Sequence, residues 1–126
     1  PSLHNGRIAW SNNNEIYYYN GAAITQITDN NLVDSHPSLH NGHIAWSANG
    51  EIYYFDGSSI TQITDNDSAD RFPSLHDGNI AWHGYDNGIN DYEIFYYESA
   101  FIDESDDGSS DDEMNGGDSG CFFQSF

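Results

Sequence analysis

Apolar and polar positions alternate along this chain with the period of strands, not of helices. His43-Ile44-Ala45-Trp46-Ser47 and Glu51-Ile52-Tyr53-Tyr54-Phe55 are dense in β-branched and aromatic residues, which suit a pleated surface. Turn signals separate the runs. Asn41-Gly42 and Asn49-Gly50 supply the positive φ angles that a two-residue type I′ hairpin turn demands. Asp56-Gly57-Ser58 turns the chain again, and Ile60-Thr61-Gln62-Ile63-Thr64 reads as a further strand. With the short extended piece that begins at Pro37, the pattern predicts four antiparallel strands, followed by a polar connection over Asp65–Asp70.

That unit occurs three times. Pro1-Ser2-Leu3-His4-Asn5-Gly6, Pro37-Ser38-Leu39-His40-Asn41-Gly42 and Pro73-Ser74-Leu75-His76-Asp77-Gly78 open copies spaced 36 residues apart, and about two-thirds of positions agree between the first two. A fixed period of this length marks stacked supersecondary units, each unable to bury its apolar faces alone. Three tight turns per repeat weigh against a β-solenoid, and near-identical copies weigh against a sandwich. The expected fold is all-β: three four-stranded β-propeller blades, 1–36, 37–72 and 73–102, completed by oligomerisation, with a tail over 103–126.

The third copy departs from the pattern. His83–Glu93 stands where the second copy has Ser47–Glu51, which reads as a loop six residues longer. Ala100-Phe101-Ile102-Asp103 occupies the place of the fourth strand in degraded form. Asp103–Asp118 is Asp, Glu, Ser and Gly with one Asn, Asn115, and Met114 as its one apolar side chain. It is expected to remain disordered unless a cation, or docking of Cys121-Phe122-Phe123 and Phe126 on a blade, holds it.

The succession Pro-Ser-Leu, Asn-Gly-x-Ile-Ala-Trp, Glu-Ile-Tyr-Tyr and Thr-Gln-Ile-Thr-Asp-Asn resembles the blades of TolB-type β-propellers, over Pro1 to about Asp103. The resemblance implies that the Pro-Ser-Leu strand lines a central channel and that Thr-Gln-Ile-Thr lies at the rim. It implies no particular function. Gly116-Gly117-Asp118-Ser119-Gly120-Cys121-Phe122-Phe123 is similar to Gly-rich, Cys-Phe-containing boxes that end some bacterial surface proteins, where the Cys serves in sorting or anchoring. This chain lacks the apolar helix and basic residues that follow such boxes.

Composition narrows the partners. Twenty-one acidic residues stand against Arg7 and Arg71, with no Lys, for a formal charge of −19. That balance argues against nucleic acid and anionic membranes, because phosphate contacts need clustered Lys and Arg. It suits a secreted, periplasmic or cell-surface protein, a halophilic setting or a cation-binding surface, with plain solubility the simplest reading. A lone Cys121 makes no intramolecular disulfide framework. No apolar stretch is long enough to span a membrane. A start at Pro1, on a repeat boundary and without Met, reads as a mature or excised segment.

Propellers close with 4–8 blades, so three leave two apolar faces in water. The expected partner is therefore the chain itself, most simply two copies making a six-bladed ring. The candidate sites are few. His4, His40 and His76 recur just before each turn and should gather at one mouth as a ligand-binding set, although equivalent positions on successive blades are expected to stand too far apart for one ion. Asp86, Asn87 and Asp91 make an oxygen-rich loop that fits Ca²⁺. Asp103, Asp107 and Asp111 lie in a run with the start of a calcium-loop pattern, but Met114 fills the twelfth position, where a carboxylate is needed. Recurrent Trp10, Trp46 and Trp82 read as core filling, with sugar stacking as the other use. No nucleophile elbow, zinc-protease motif or phosphate loop is present, so a non-catalytic module binding protein or carbohydrate is expected. A polysaccharide hydrolase and a filament subunit are the alternatives.

Overall fold

The computed structural model describes residues 1–99 and 122–125. These residues are all-β, in three four-stranded antiparallel sheets, an arrangement compatible with an incomplete propeller. The first sheet holds β1 (Ser2–His4), β2 (Arg7–Asn12), β3 (Glu15–Tyr19) and β4 (Ile24–Gln26), in that spatial order. The second repeats it with β5 (Asp34–His40), β6 (His43–Ala48), β7 (Glu51–Phe55) and β8 (Ile60–Gln62). The third is built from β9 (Arg71–His76), β10 (Asn79–Asp86), β11 (Asp91–Glu98) and β12 (Phe122–Ser125).

Local chemistry explains the meander. Asn41 and Gly42 hold φ angles of 51° and 81°, as a type I′ turn requires, and this fixes His40 opposite His43. Asn5-Gly6 and Asp77-Gly78 do the same in their copies. The first strand of the second sheet begins three residues earlier than its Pro suggests. A bulge between Ser35 and Ser38, with His36 in the left-handed region, lets Asp34 and Ser35 pair with Ala48 and Ser47. Extra residues in the third copy lengthen both strands of a hairpin instead of forming a long loop. Gly84, Tyr85 and Asp86 pair with Glu93, Tyr92 and Asp91.

The edge of the third sheet also differs from expectation. Phe122–Ser125 pairs with β11, bringing Phe95 opposite Ser125 and Glu98 opposite Phe122. The chain thus supplies the fourth strand of its last sheet from residues that read as tail. Ala100–Asp103, expected in that role, lies outside the described residues.

The repeated Ile-Thr-Gln-Ile-Thr-Asp-Asn run is a structural clamp. Pairing stops at Gln62, short of the expected Thr64, because Ile63 turns inward and its N–H goes to the carbonyl of Ile52. Thr64 Oγ1 accepts the Ile52 N–H at 2.9 Å and donates to Glu51, whose other oxygen accepts the Asn66 N–H at 3.0 Å. Gln62 Nε2 closes onto the Thr64 carbonyl at 2.8 Å. Thr28, Glu15, Asn30 and Gln26 repeat this around Ile16.

Both cores lie between sheets. Ala9 and Ile16 of the first sheet meet Leu39, Ile44, Trp46 and Ala48 of the second. Ala45, Ile52 and Ile63 of the second meet Leu75, Ile80 and Trp82 of the third. Trp46 and Trp82 are buried and lie roughly parallel to Tyr53 and Phe95, as core filling requires. Beside Trp46 sits a buried Asp. Asp34 accepts from Trp46 Nε1 at 3.1 Å and from Asn30 Nδ2 at 3.0 Å, so its carboxylate is hydrogen-bonded where water cannot reach it.

Two substitutions separate these contributions. Thr64→Val leaves the buried Ile52 N–H without its acceptor, and denaturant unfolding should register a loss of about 1–3 kcal/mol. Ile52→Ala, in the seam, should cost about 2–5 kcal/mol by the same measurement, whereas Ile60→Ala on the exposed edge strand should stay within about 0.5 kcal/mol.

Candidate functional site

Stacking the sheets brings their first strands side by side, β1 against β5 and β5 against β9. The link is specific. Ser2 Oγ accepts the Leu39 N–H and Ser38 Oγ accepts the Leu75 N–H, each at 2.9 Å. One turn further on, His4 Nδ1 accepts the Asn41 N–H at 3.1 Å, and His40 Nδ1 accepts the Asp77 N–H at 3.0 Å. Each Pro-Ser-Leu-His-Asn-Gly segment therefore presents acceptors to the donors of the next copy. This is the physical reason for its repetition.

The three imidazoles form a continuous row. Ring centroids are 4.2 Å apart from His4 to His40 and again from His40 to His76, with the rings tilted by 42° and 41°. Sequence reasoning anticipated the set but expected blade spacing to hold its members apart. The Ser and His hydrogen bonds draw the strands together instead. Asp77 joins the row where the second copy carries Asn41. Its Oδ1 lies 3.6 Å from His40 Nδ1, and its Oδ2 lies 3.6 Å from His76 Nδ1. His40, His76 and Asp77 are the one group of three metal-capable side chains among the described residues, with ligand atoms all within 4.8 Å of one another.

Burial sets the charge of the middle ring. His40 is pulled below its ordinary value of 6.5 chiefly by loss of water, and His76 and His4 on either side push the same way. The Asp77 carboxylate opposes them without prevailing. His40 is therefore a neutral acceptor at pH 7, as its hydrogen bond from Asp77 N–H requires.

The other candidates are placed differently. Asp86 and Asp91 face each other at the end of the β10–β11 hairpin. Asp86 Oδ1 accepts the Gly88 N–H at 2.7 Å, and Asp91 Oδ1 accepts the Tyr92 N–H at 2.8 Å, while Asn87 sits in the turn between them. The first is the bond of an Asx turn, and each bond engages one oxygen of its carboxylate. Asp103, Asp107, Asp111 and Cys121 lie outside the described residues. Asp34 and Asp70, both buried, were missed as part of a polar connection. Their 36-residue spacing, each four residues after an Asn, was the available signal.

Comparison with protein-family models, with curated proteins and with solved structures finds no match.

The depressed His40 titration carries a pH prediction. Below about pH 6.5 the unfolded chain takes a proton that the folded ring resists, so this contribution to stability is full above that value and is lost as pH falls through and below it. His40→Gln should lose less stability than the parent between pH 7.5 and pH 5.5, read as the shift in denaturant midpoint for each protein.

Proposed function

We propose that this chain is a non-catalytic, extracytoplasmic, TolB-like blade module that assembles with itself, copies adding head to tail through the contact that joins its own sheets. One observation carries the reading: the two outermost sheets expose the side chains that inner copies bury. Leu39 and Leu75 are 4% and 5% exposed, whereas the equivalent Leu3 is 71% exposed. Ile16 and Ile52 are fully buried, whereas the equivalent Ile94 is 48% exposed. Leu3 belongs to the receiving half of a seam and Ile94 to the giving half, so the two ends of one molecule are complementary. Such a contact is heterologous and either closes into a ring or continues as a filament.

Magnitude favours association. Fully burying one Leu or Ile side chain contributes about 1.5–3 kcal/mol, and each open half-seam repeats several apolar positions of a filled one. Two copies closed at both ends give six blades, inside the range in which propellers close. The resulting surface is strongly acidic, which favours a basic protein or an uncharged glycan over nucleic acid as a partner.

Size exclusion with light scattering tests the reading. The parent should elute as a discrete dimer, and Ile94→Asp, at an exposed position, should give a folded monomer of unchanged circular dichroism. A monodisperse monomeric parent removes the proposal. A polydisperse high-mass parent keeps the seam and replaces the ring by an open filament.

A further inference from the structure

We propose that His40, His76 and Asp77 form a binding site for a divalent metal ion of the zinc, nickel or copper class, at the seam between the second and third sheets. Two imidazoles and one carboxylate make a donor set suited to these ions, whereas calcium and magnesium take shells of oxygen. The Asp77 oxygens already stand 3.6 Å from each Nδ1, and no two ligand atoms of the group are more than 4.8 Å apart. Zinc–ligand bonds of about 2.0–2.2 Å put neighbouring ligands of a tetrahedral shell roughly 3.3–3.6 Å apart. The His40 and His76 contacts each meet that span, but through different Asp77 oxygens, so a shared ion needs the carboxylate to rotate or to bind through both.

The remaining adjustment falls on movable groups. His76 and Asp77 have side chains 76% and 64% exposed, so each can rotate toward a common ion without disturbing the core. His40 is held between its neighbours, with its ring fixed in place. Coordination through its Nδ1 exchanges one neutral hydrogen bond from the Asp77 N–H for a metal–imidazole bond. That N–H lies in an exposed turn, where water replaces the lost acceptor. Three protein ligands on an open surface leave the fourth position to water, as in exchangeable zinc sites.

An internal control lies one repeat earlier. His4 and His40 have the same ring spacing as His40 and His76, but the first turn residue after His40 is Asn41, whose amide offers no anionic ligand. The substitution of Asp77 for Asn41 is thus what separates a metal-capable seam from a structural one.

Calorimetric titration of the whole chain with zinc, alongside a calcium titration and a competition between the two, tests the site. Zinc should bind saturably at one site per chain and should not be displaced by equimolar calcium. His76→Ala and Asp77→Asn should each weaken zinc by about tenfold or more. Asp77→Asn recreates the Asn-Gly turn of the second copy, so its fold is preserved. Absence of saturable zinc binding, unchanged affinity in either His76→Ala or Asp77→Asn, or displacement by equimolar calcium would overturn the proposal and leave the ion to the general acidic surface.

Discussion

Ile16 and Ile52 project from the third strand of one sheet into a space closed by Leu, Ile and Trp of the next, and the whole molecule depends on that contact. A four-stranded meander of this length has too little apolar surface to stand by itself, so its stability is borrowed from its neighbour. The same necessity accounts for the polar clamp around each Ile. An apolar residue turned inward takes its backbone N–H with it, and Thr28 or Thr64 must receive that donor where water cannot. Repeat identity is concentrated where these two demands coincide.

The contact is also directional. Ser2, His4, Ser38 and His40 accept, and Leu39, Asn41, Leu75 and Asp77 donate, so each sheet has a giving and a receiving side. A directional contact repeated at a fixed step propagates until something closes it or caps it. Neither end of the described stack is capped, since Leu3 and Ile94 lie open. In the first strands the same step produces the imidazole row, so a metal-capable group at the last seam is a by-product of the geometry that holds the sheets together. Asp77 in the place of Asn41 is what sets the last seam apart from the one before it.

Ion pairing has little part in this architecture. Among the described residues, the close contacts between a carboxylate and a basic group are the two between Asp77 and its flanking imidazoles, and the His40 ring is neutral at pH 7. The carboxylates that matter structurally, Asp34, Glu15 and Glu51, are held by N–H and O–H donors instead. Most of the other carboxylates of the described residues lie at the surface, where their charge resists nonspecific association.

The sequence by itself determined the strands, the type I′ turns and the three copies, because each follows from neighbours along the chain: Asn-Gly pairs, period-two alternation and a 36-residue step. It also marked His4, His40 and His76 as one set. What it withheld depends on contacts across space. That the rings touch is decided by Ser2 and Ser38 reaching the next strand, and that Asp34 is buried is decided by Trp46 lying over it. That Phe122–Ser125 completes the third sheet is decided by an open edge on β11, far away in sequence. Local propensity fixes φ and ψ, residue by residue. Only packing of one sheet on another fixes which polar groups lose water, and that loss is what creates sites.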